Sequence, residues 1–244
     1  MTARSDGRVN EALNDGISGL ARGLAVIESF DLEHPRLTVT EAARRTGLVP
    51  AVTRRCMRTL EQLGYLSFDG KHYAPTPRFA RLATVYTDVD PLPTLATPLL
   101  AELRDELDES ASLAVLDGDA ALFIARAAAR HFVTTGLRIG DRLPADRTAI
   151  GRVLLAGLPD AQQAALPSEL REAIHQAAAD GYSLIEDEIE TGVRAVAVPV
   201  VDGSGRLVAA MSATAIAGRV STADLRERFL PALQRQAAQL SRML

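Results

Sequence analysis

Between Glu41 and Leu60 stand five arginines, Arg44, Arg45, Arg54, Arg55 and Arg58, against a single acid, a local balance of +4. Guanidinium groups at that density suit contact with the phosphates and base edges of duplex DNA. Thr53 inside the run and Lys71 beyond it add a hydroxyl and an ammonium for the same use. The competing reading is a helical hairpin with a solvated basic face. The choice depends on the elements that carry these side chains.

Those elements are legible. In LTVTEAARRTGL, Thr38 and Glu41 have capping-box spacing, so a helix starts there, and Gly47 sits where a helix end takes positive φ. Pro50 suits the first turn of a second helix, which runs to about Leu63 and closes at Gly64. Val52, Cys56, Leu60 and Leu63 fall at helical spacing and predict its buried stripe, with Cys56 as a core thiol. YLSF and KHYAP around Asp69-Gly70 predict a hairpin with a tight type I′ turn. Upstream, Ser18 can cap a helix through Phe30, with Leu20, Leu24, Ile27 and Phe30 facing inward. On it, Arg22 meets either a phosphate or a surface ion pair. Helix, turn, basic helix and hairpin make the outline of a winged helix-turn-helix, which binds DNA.

The chain has 244 residues and a net charge of −4, divided unevenly: residues 1–80 carry +2 and residues 81–244 carry −6. The basic footprint is thus confined to the N-terminal third, as a regional DNA contact requires. One cysteine excludes an internal disulfide and a multi-cysteine zinc site. No apolar run spans a membrane and the polar start lacks a signal-peptide core, so a cytoplasmic protein is expected. RFARLATVYTDVD predicts a linker helix whose apolar face serves dimer contacts or packs on its own domain. Beyond it, TLATPLLAELRDELDES is an amphipathic helix with Leu95, Leu99, Leu103 and Leu107 inward. SLAVLDGDAALFIARAA predicts a hairpin, HFVTTGLRIGDRLPAD a further strand and loop, and Ala161–Asp180 one helix. Two further strands flank Asp202–Gly205, and Ser221 caps a closing helix. Tight turns between strands favour an antiparallel sheet. The four histidines have no metal-ligand spacing, and no nucleophile motif or phosphate-binding glycine loop occurs. An enzyme, a metal site and a bound cofactor are therefore not expected.

From about Gly19 the chain resembles the IclR family of bacterial transcriptional regulators, and more closely its PcaR/PobR-type branch for aromatic catabolism. The motifs that carry the likeness are GLARGLAVIESF, LTVTEAARRTGL, RTLEQLGYLSFDGKHYAPTPR, SLAVLDG, LPADRTAIGRVLLAGLP, GYSLIEDEIETGVRAVAVPV and RVSTADLRERFLPAL. The polar, glycine-containing start at 1–17 reads as a mobile arm. The resemblance implies an α+β chain: a winged helix-turn-helix at 18–77, a linker helix at 78–92, and a GAF-like α/β effector domain with an antiparallel sheet at 93–244. It implies a homodimer or homotetramer that represses or activates from double-stranded operator DNA. It also implies a small organic acid as effector, an intermediate of aromatic catabolism. A constitutive DNA-binding oligomer, whose C-terminal domain only dimerises, is the alternative.

Carried onto this sequence, the family pocket would be lined by Arg147, Thr148, Ala149, Glu186, Ala195, Ala197, Ser212 and Thr214. Ser212 and Thr214 share one face by period two, which sends two hydroxyls toward a ligand or outward to solvent. The chain departs from the family at Asp146 and Arg147, where relatives commonly have Tyr-Cys, and at Glu186, where they commonly have Asp. Arg147 is accordingly expected either to clamp an effector carboxylate or to pair with Asp146 or Glu186. Val49, Pro50 and Val52 replace common polar residues, leaving fewer donors at the start of the basic helix.

Overall fold

The computed structural model describes residues 16–131 and 136–244. The expected arm lies almost wholly outside them, as does the segment after His131 that was expected to be a strand. The chain forms two compact units, one ending at Val89 and one running from Asp90 to Leu244.

The first unit opens with α1 (Ser18–Glu28), α2 (Val39–Thr46) and α3 (Pro50–Gln62). Thr38 caps α2 as expected: Glu41 N–H donates to its Oγ1 at 3.3 Å, and Thr38 N–H donates to Glu41 Oε2 at 2.8 Å. Gly47 closes α2 with φ 72°, a conformation that costs other residues free energy and fixes the turn. The wing is β1 (Leu66–Phe68) paired antiparallel with β2 (Tyr73–Pro75), and Tyr73 also exchanges two backbone hydrogen bonds with Leu37. A 3-10 turn, Pro77–Phe79, leads into α4 (Ala80–Val89), none of whose residues is buried. Val26, Leu37, Ala42, Met57, Leu60, Leu66 and Tyr73 form the core.

Three expectations about this unit need correction. On α1, Leu20 and Leu24 are exposed and Val26 is the buried residue; the helix starts at Ser18 without a side-chain cap. On α3 the buried face is Thr53, Met57 and Leu60, about one residue round from the expected stripe. Leu63 is 54% exposed and Cys56 only partly covered. The wing loop is a four-residue turn, because Phe68 pairs with Tyr73. Asp69 Oδ1 accepts the Lys71 and His72 backbone N–H groups at 2.9 and 2.8 Å, so a side chain organises the turn in place of a type I′ geometry.

The second unit is built on a six-stranded sheet, antiparallel throughout, in the order β5-β4-β3-β8-β7-β6. The strands are β3 (Ser110–Asp117), β4 (Ala120–Ala127), β5 (Arg142–Pro144), β6 (Ser183–Glu186), β7 (Val193–Val201) and β8 (Leu207–Ile216). One sheet face packs on α5 (Leu92–Leu107) and on the closing helix, through Leu99, Leu100, Leu103, Phe229, Leu233 and Leu240. Ser221 caps that helix as expected, in a box with Asp224. It runs as α9 (Thr222–Asp224), a π turn at Leu225–Phe229, and α10 (Leu230–Ser241). Pro231, which has no N–H, follows the π turn.

The other sheet face meets α6 (Ala149–Ala156) and the 3-10 turn Ala145–Arg147 before it. α7 (Asp160–Gln163) and α8 (Ser168–Asp180) come next, so the single helix expected over Ala161–Asp180 is broken; Pro167 stands at the N-cap of α8. A bulge in the β3–β4 pairing changes which side chains share a face. Ala114 pairs with Phe123 and Leu113 with Ala125, so Ile124 is inserted between consecutive pairs.

Candidate DNA-binding face and effector cavity

In the first unit Arg44, Arg54, Arg55 and Arg58 are exposed, and no ion pair engages them among the described residues. The buried Thr53–Met57–Leu60 face turns the opposite side of α3 outward. Arg54 and Arg58 therefore stand one turn apart, with Arg55 beside them. Lys71 is exposed in the wing loop, and Arg22 is half-buried on α1. The apolar start of α3 is open as well: Val49, Pro50 and Ala51 are all exposed.

Two expected DNA contacts are corrected. Arg45 folds back on its own unit: Nε donates to the Ser29 carbonyl at 2.7 Å, Nη1 lies 2.9 Å from His34 Nδ1, and Nη2 pairs with Asp31. It ties the end of α2 to the loop after α1. For Asp31, slight desolvation works upward, but the His34 hydrogen bonds and the Arg45 charge together hold its carboxyl below the ordinary value. Thr53 is fully buried, with its hydroxyl donating to the Val49 carbonyl at 3.3 Å. Its inward direction follows from the rotated stripe, which depends on packing against α1 and the wing.

In the second unit a cavity of about 230 Å³ opens on the sheet face under α6. Thr148, Ala149, Ala195, Ser212 and Thr214 line it, so five of the eight expected residues come together. Period two places the two hydroxyls: Met211 and Ala213 face α5 and α10, while Ser212 and Thr214 face the cavity. Thr148 caps α6 by accepting the Gly151 N–H at 3.0 Å and donates its own hydroxyl to Pro144 O at 3.1 Å. Gly151 permits this close approach, since a Cβ there would lie 2.3 Å from Ala145 Cα. The N-terminus of α6 is thereby pressed against the 3-10 turn, which fixes Thr148, Ala149 and Ile150 over the cavity.

The remaining three expected residues stand elsewhere. Arg147 is exposed and donates to the Glu188 carbonyl at 2.5 Å, a partner outside both expected alternatives. Glu186 accepts from Arg194 Nε at 3.0 Å and from the Thr222 hydroxyl at 2.8 Å. Its neighbour Ile185 takes the inward position, so the pleat turns Glu186 to the opposite face. Ala197 is buried in the same apolar cluster as Ala195 but is not part of the cavity wall.

Sequence reasoning missed Phe123, Leu137, Leu143, Ile150, Ile185, Ile189, Glu190 and Val193, the cavity's remaining walls. Both faces of this sheet are covered, so its strands are nearly continuously apolar, and their pattern does not say which side faces a ligand. The cover is held from above. Arg152 donates Nη1 and Nη2 to the two carboxylate oxygens of Glu188, and Nε to the Asp146 carbonyl at 3.1 Å. Among the described residues no cluster of metal-ligating side chains occurs, and no helix is long and apolar enough to cross a membrane.

Comparison with known proteins agrees with both halves. The IclR helix-turn-helix domain matches residues 19–70, and the bacterial transcriptional regulator IclR C-terminal domain matches residues 84–242. The chain is 38% identical to the Pca regulon regulatory protein of Pseudomonas putida, over 90% of this chain and 81% of that protein. It superposes on the crystal structure of a putative transcriptional regulator, RHA06195 from Rhodococcus sp. RHA1, with TM-score 0.78 at 37% identity, over 93% of this chain and 98% of the other. A double mutant of the inducer-binding domain of the transcription factor PobR from Acinetobacter, in complex with 3-hydroxybenzoic acid, matches at 27% identity and TM-score 0.59, over 62% of this chain and 98% of that one. The chain belongs to the IclR family of bacterial transcriptional regulators.

Proposed function

We propose that this regulator binds operator DNA through the exposed arginines of α2 and α3, and that a small aromatic carboxylic acid in the cavity sets its affinity for that DNA. The observation that carries the reading is the cavity itself, a mainly apolar wall that includes Phe123, Leu143, Ile185 and Ile189, with the hydroxyls of Ser212, Thr214 and Thr148 and the carboxyl of Glu190 as its polar groups. A dry cavity of roughly 150 Å³ accepts benzene, so about 230 Å³ suits one substituted ring and little more. The PobR domain bound to 3-hydroxybenzoic acid supports the same ligand class.

The wing and α3 dock as in other winged helix-turn-helix units, with α3 in the major groove and Lys71 on the flanking backbone. The protein acts as a homodimer or homotetramer, because two recognition helices must span half-sites about one helical turn apart or a multiple of it. Exposed Leu82, Val85, Tyr86 and Val89 on α4 give it an apolar face for that assembly. An effector shifts DNA affinity only by binding the competent and incompetent arrangements unequally. A thermal-shift series with hydroxybenzoates tests the ligand class: a rise in Tm supports it, and an unchanged Tm across the series refutes it.

A further inference from the structure

We propose that Arg126 anchors the ligand's carboxylate at the margin of the cavity, beside Ser112 and Ser212. The inference rests on the aromatic-acid reading above and names the group that recognises the acid.

The bulge at Ile124 makes this possible. Before it, Ala121 and Phe123 face the cavity side while Leu122 and Ile124 face α5 and α10. After it, Ala125 and Ala127 join the α5 side, and Arg126 is turned to the cavity face. There Arg126 Nη1 donates to Ser112 Oγ at 2.8 Å. Ser112 pairs directly with Ser212 across β3 and β8, on the same face, and Ser212 lines the cavity. Arg126, Ser112 and Ser212 thus form one cross-strand row that runs from the cavity wall at Ser212 across β3 to β4. Facing side chains in such a row stand about 5 Å apart at Cβ. A carboxylate beside Ser212 is one strand from the Ser112 hydroxyl, on which the Arg126 guanidinium rests.

Ser112 and Ser212 are both nearly inaccessible to solvent, at 1% and 3% exposure. Burial pushes the Arg126 pKa down, with the charge of Asp141 opposing that shift. Asp141 itself accepts the Arg138 backbone N–H at 2.7 Å. A desolvated guanidinium gains more from an arriving anion than an exposed one does. Arg147, the cation that sequence reasoning favoured, is held outside by Glu188. A purely structural Arg126, knitting β4 to β3, is the rival explanation, and it makes no distinction between an acid and its amide.

Calorimetry on the full-length protein separates the two, with 4-hydroxybenzoate and its uncharged counterpart 4-hydroxybenzamide as probes. The wild-type protein is expected to prefer the acid by about 10- to 100-fold, and Arg126→Met to bring that ratio close to one. A preference that survives in Arg126→Met overturns the anchor. Should Arg126→Met fail to fold, Arg126→Lys, which keeps charge but loses the forked geometry, is expected to lower the ratio several-fold, and an unchanged ratio overturns the proposal. If the wild-type protein binds neither probe and no hydroxybenzoate of the thermal-shift series, the aromatic reading falls separately. The anchor is then judged on adipate against adipamide, where no preference for the diacid ends it.

Discussion

Arg152 grips Glu188 in a two-pronged pair, with Nη1 2.8 Å from Oε1 and Nη2 on Oε2, so that α6 is tied to the segment between β6 and β7 that covers the cavity. Ile189 and Glu190, the next two residues, line the cavity. The pair therefore sets how firmly the cover sits on a ligand. Replacement of Arg152 by alanine is expected to cost about 1–2 kcal/mol, given the partial exposure of both groups, and to lower Tm by a few degrees. Ligand affinity should fall with it. Glu188→Gln, which retains one acceptor, should fall between the two, and a melt unchanged in both variants contradicts the role assigned here.

Gly151 gives a harsher test of the same region. Gly151→Ala places a Cβ 2.3 Å from Ala145 Cα, and the 3-10 turn must shift to admit it. Destabilisation of about 2–3 kcal/mol is expected by chemical denaturation, with loss of ligand binding. Thr148→Ala removes the cap of α6, the hydroxyl bond to Pro144 O and one polar group of the cavity wall, without the steric clash, and should cost about 1 kcal/mol.

On the DNA side, single alanine variants of Arg54, Arg55 and Arg58 should each weaken binding to duplex DNA. For each arginine that touches a phosphate, the slope of log K against log salt should fall by about one. Arg45→Ala separates contact from scaffold: its hydrogen bonds end on Ser29, His34 and Asp31. It should lower stability by about 1 kcal/mol and leave the salt slope unchanged. An Arg45→Ala variant of normal stability and reduced slope would reverse the assignment.

Asp31 gives the pH signature of that tether. Its folded-state carboxyl lies below the unfolded value near 3.8, so its contribution is complete above that value. The contribution is lost as pH falls through the lower folded-state value. Urea midpoints of wild type and Asp31→Asn should therefore differ at pH 6 and draw together as the pH is lowered below 3.8; a gap that widens on acidification has the wrong sign for this pair.

The legible parts of this chain were those decided within a few residues. The Thr38–Glu41 box, Gly47 and the Ser221 cap are local devices, and each stands where the sequence put it. The face of α3 was misjudged by about one residue, because Val52 and Thr53 are similar in size and only packing on α1 and the wing selects between them. That single rotation put Thr53 on the wrong side. Ser212 and Thr214 came from the family resemblance; the period two that β8 keeps through them put both on one face without saying which. Arg126 was hidden because strict alternation assigns it to the face of Leu122 and Ile124. The bulge that moves it exists only in the pairing of β4 with β3, a partner the local sequence does not specify.

The most direct trial of the whole account is the affinity of the intact protein for its operator, selected from random duplexes, measured by fluorescence anisotropy with and without saturating 4-hydroxybenzoate. Tight, salt-sensitive binding is expected, shifted severalfold in either direction by the acid and left unshifted by the amide. Operator binding identical in the presence and absence of the acid, by a protein that calorimetry shows to be loaded with it, would contradict the coupling of cavity to DNA.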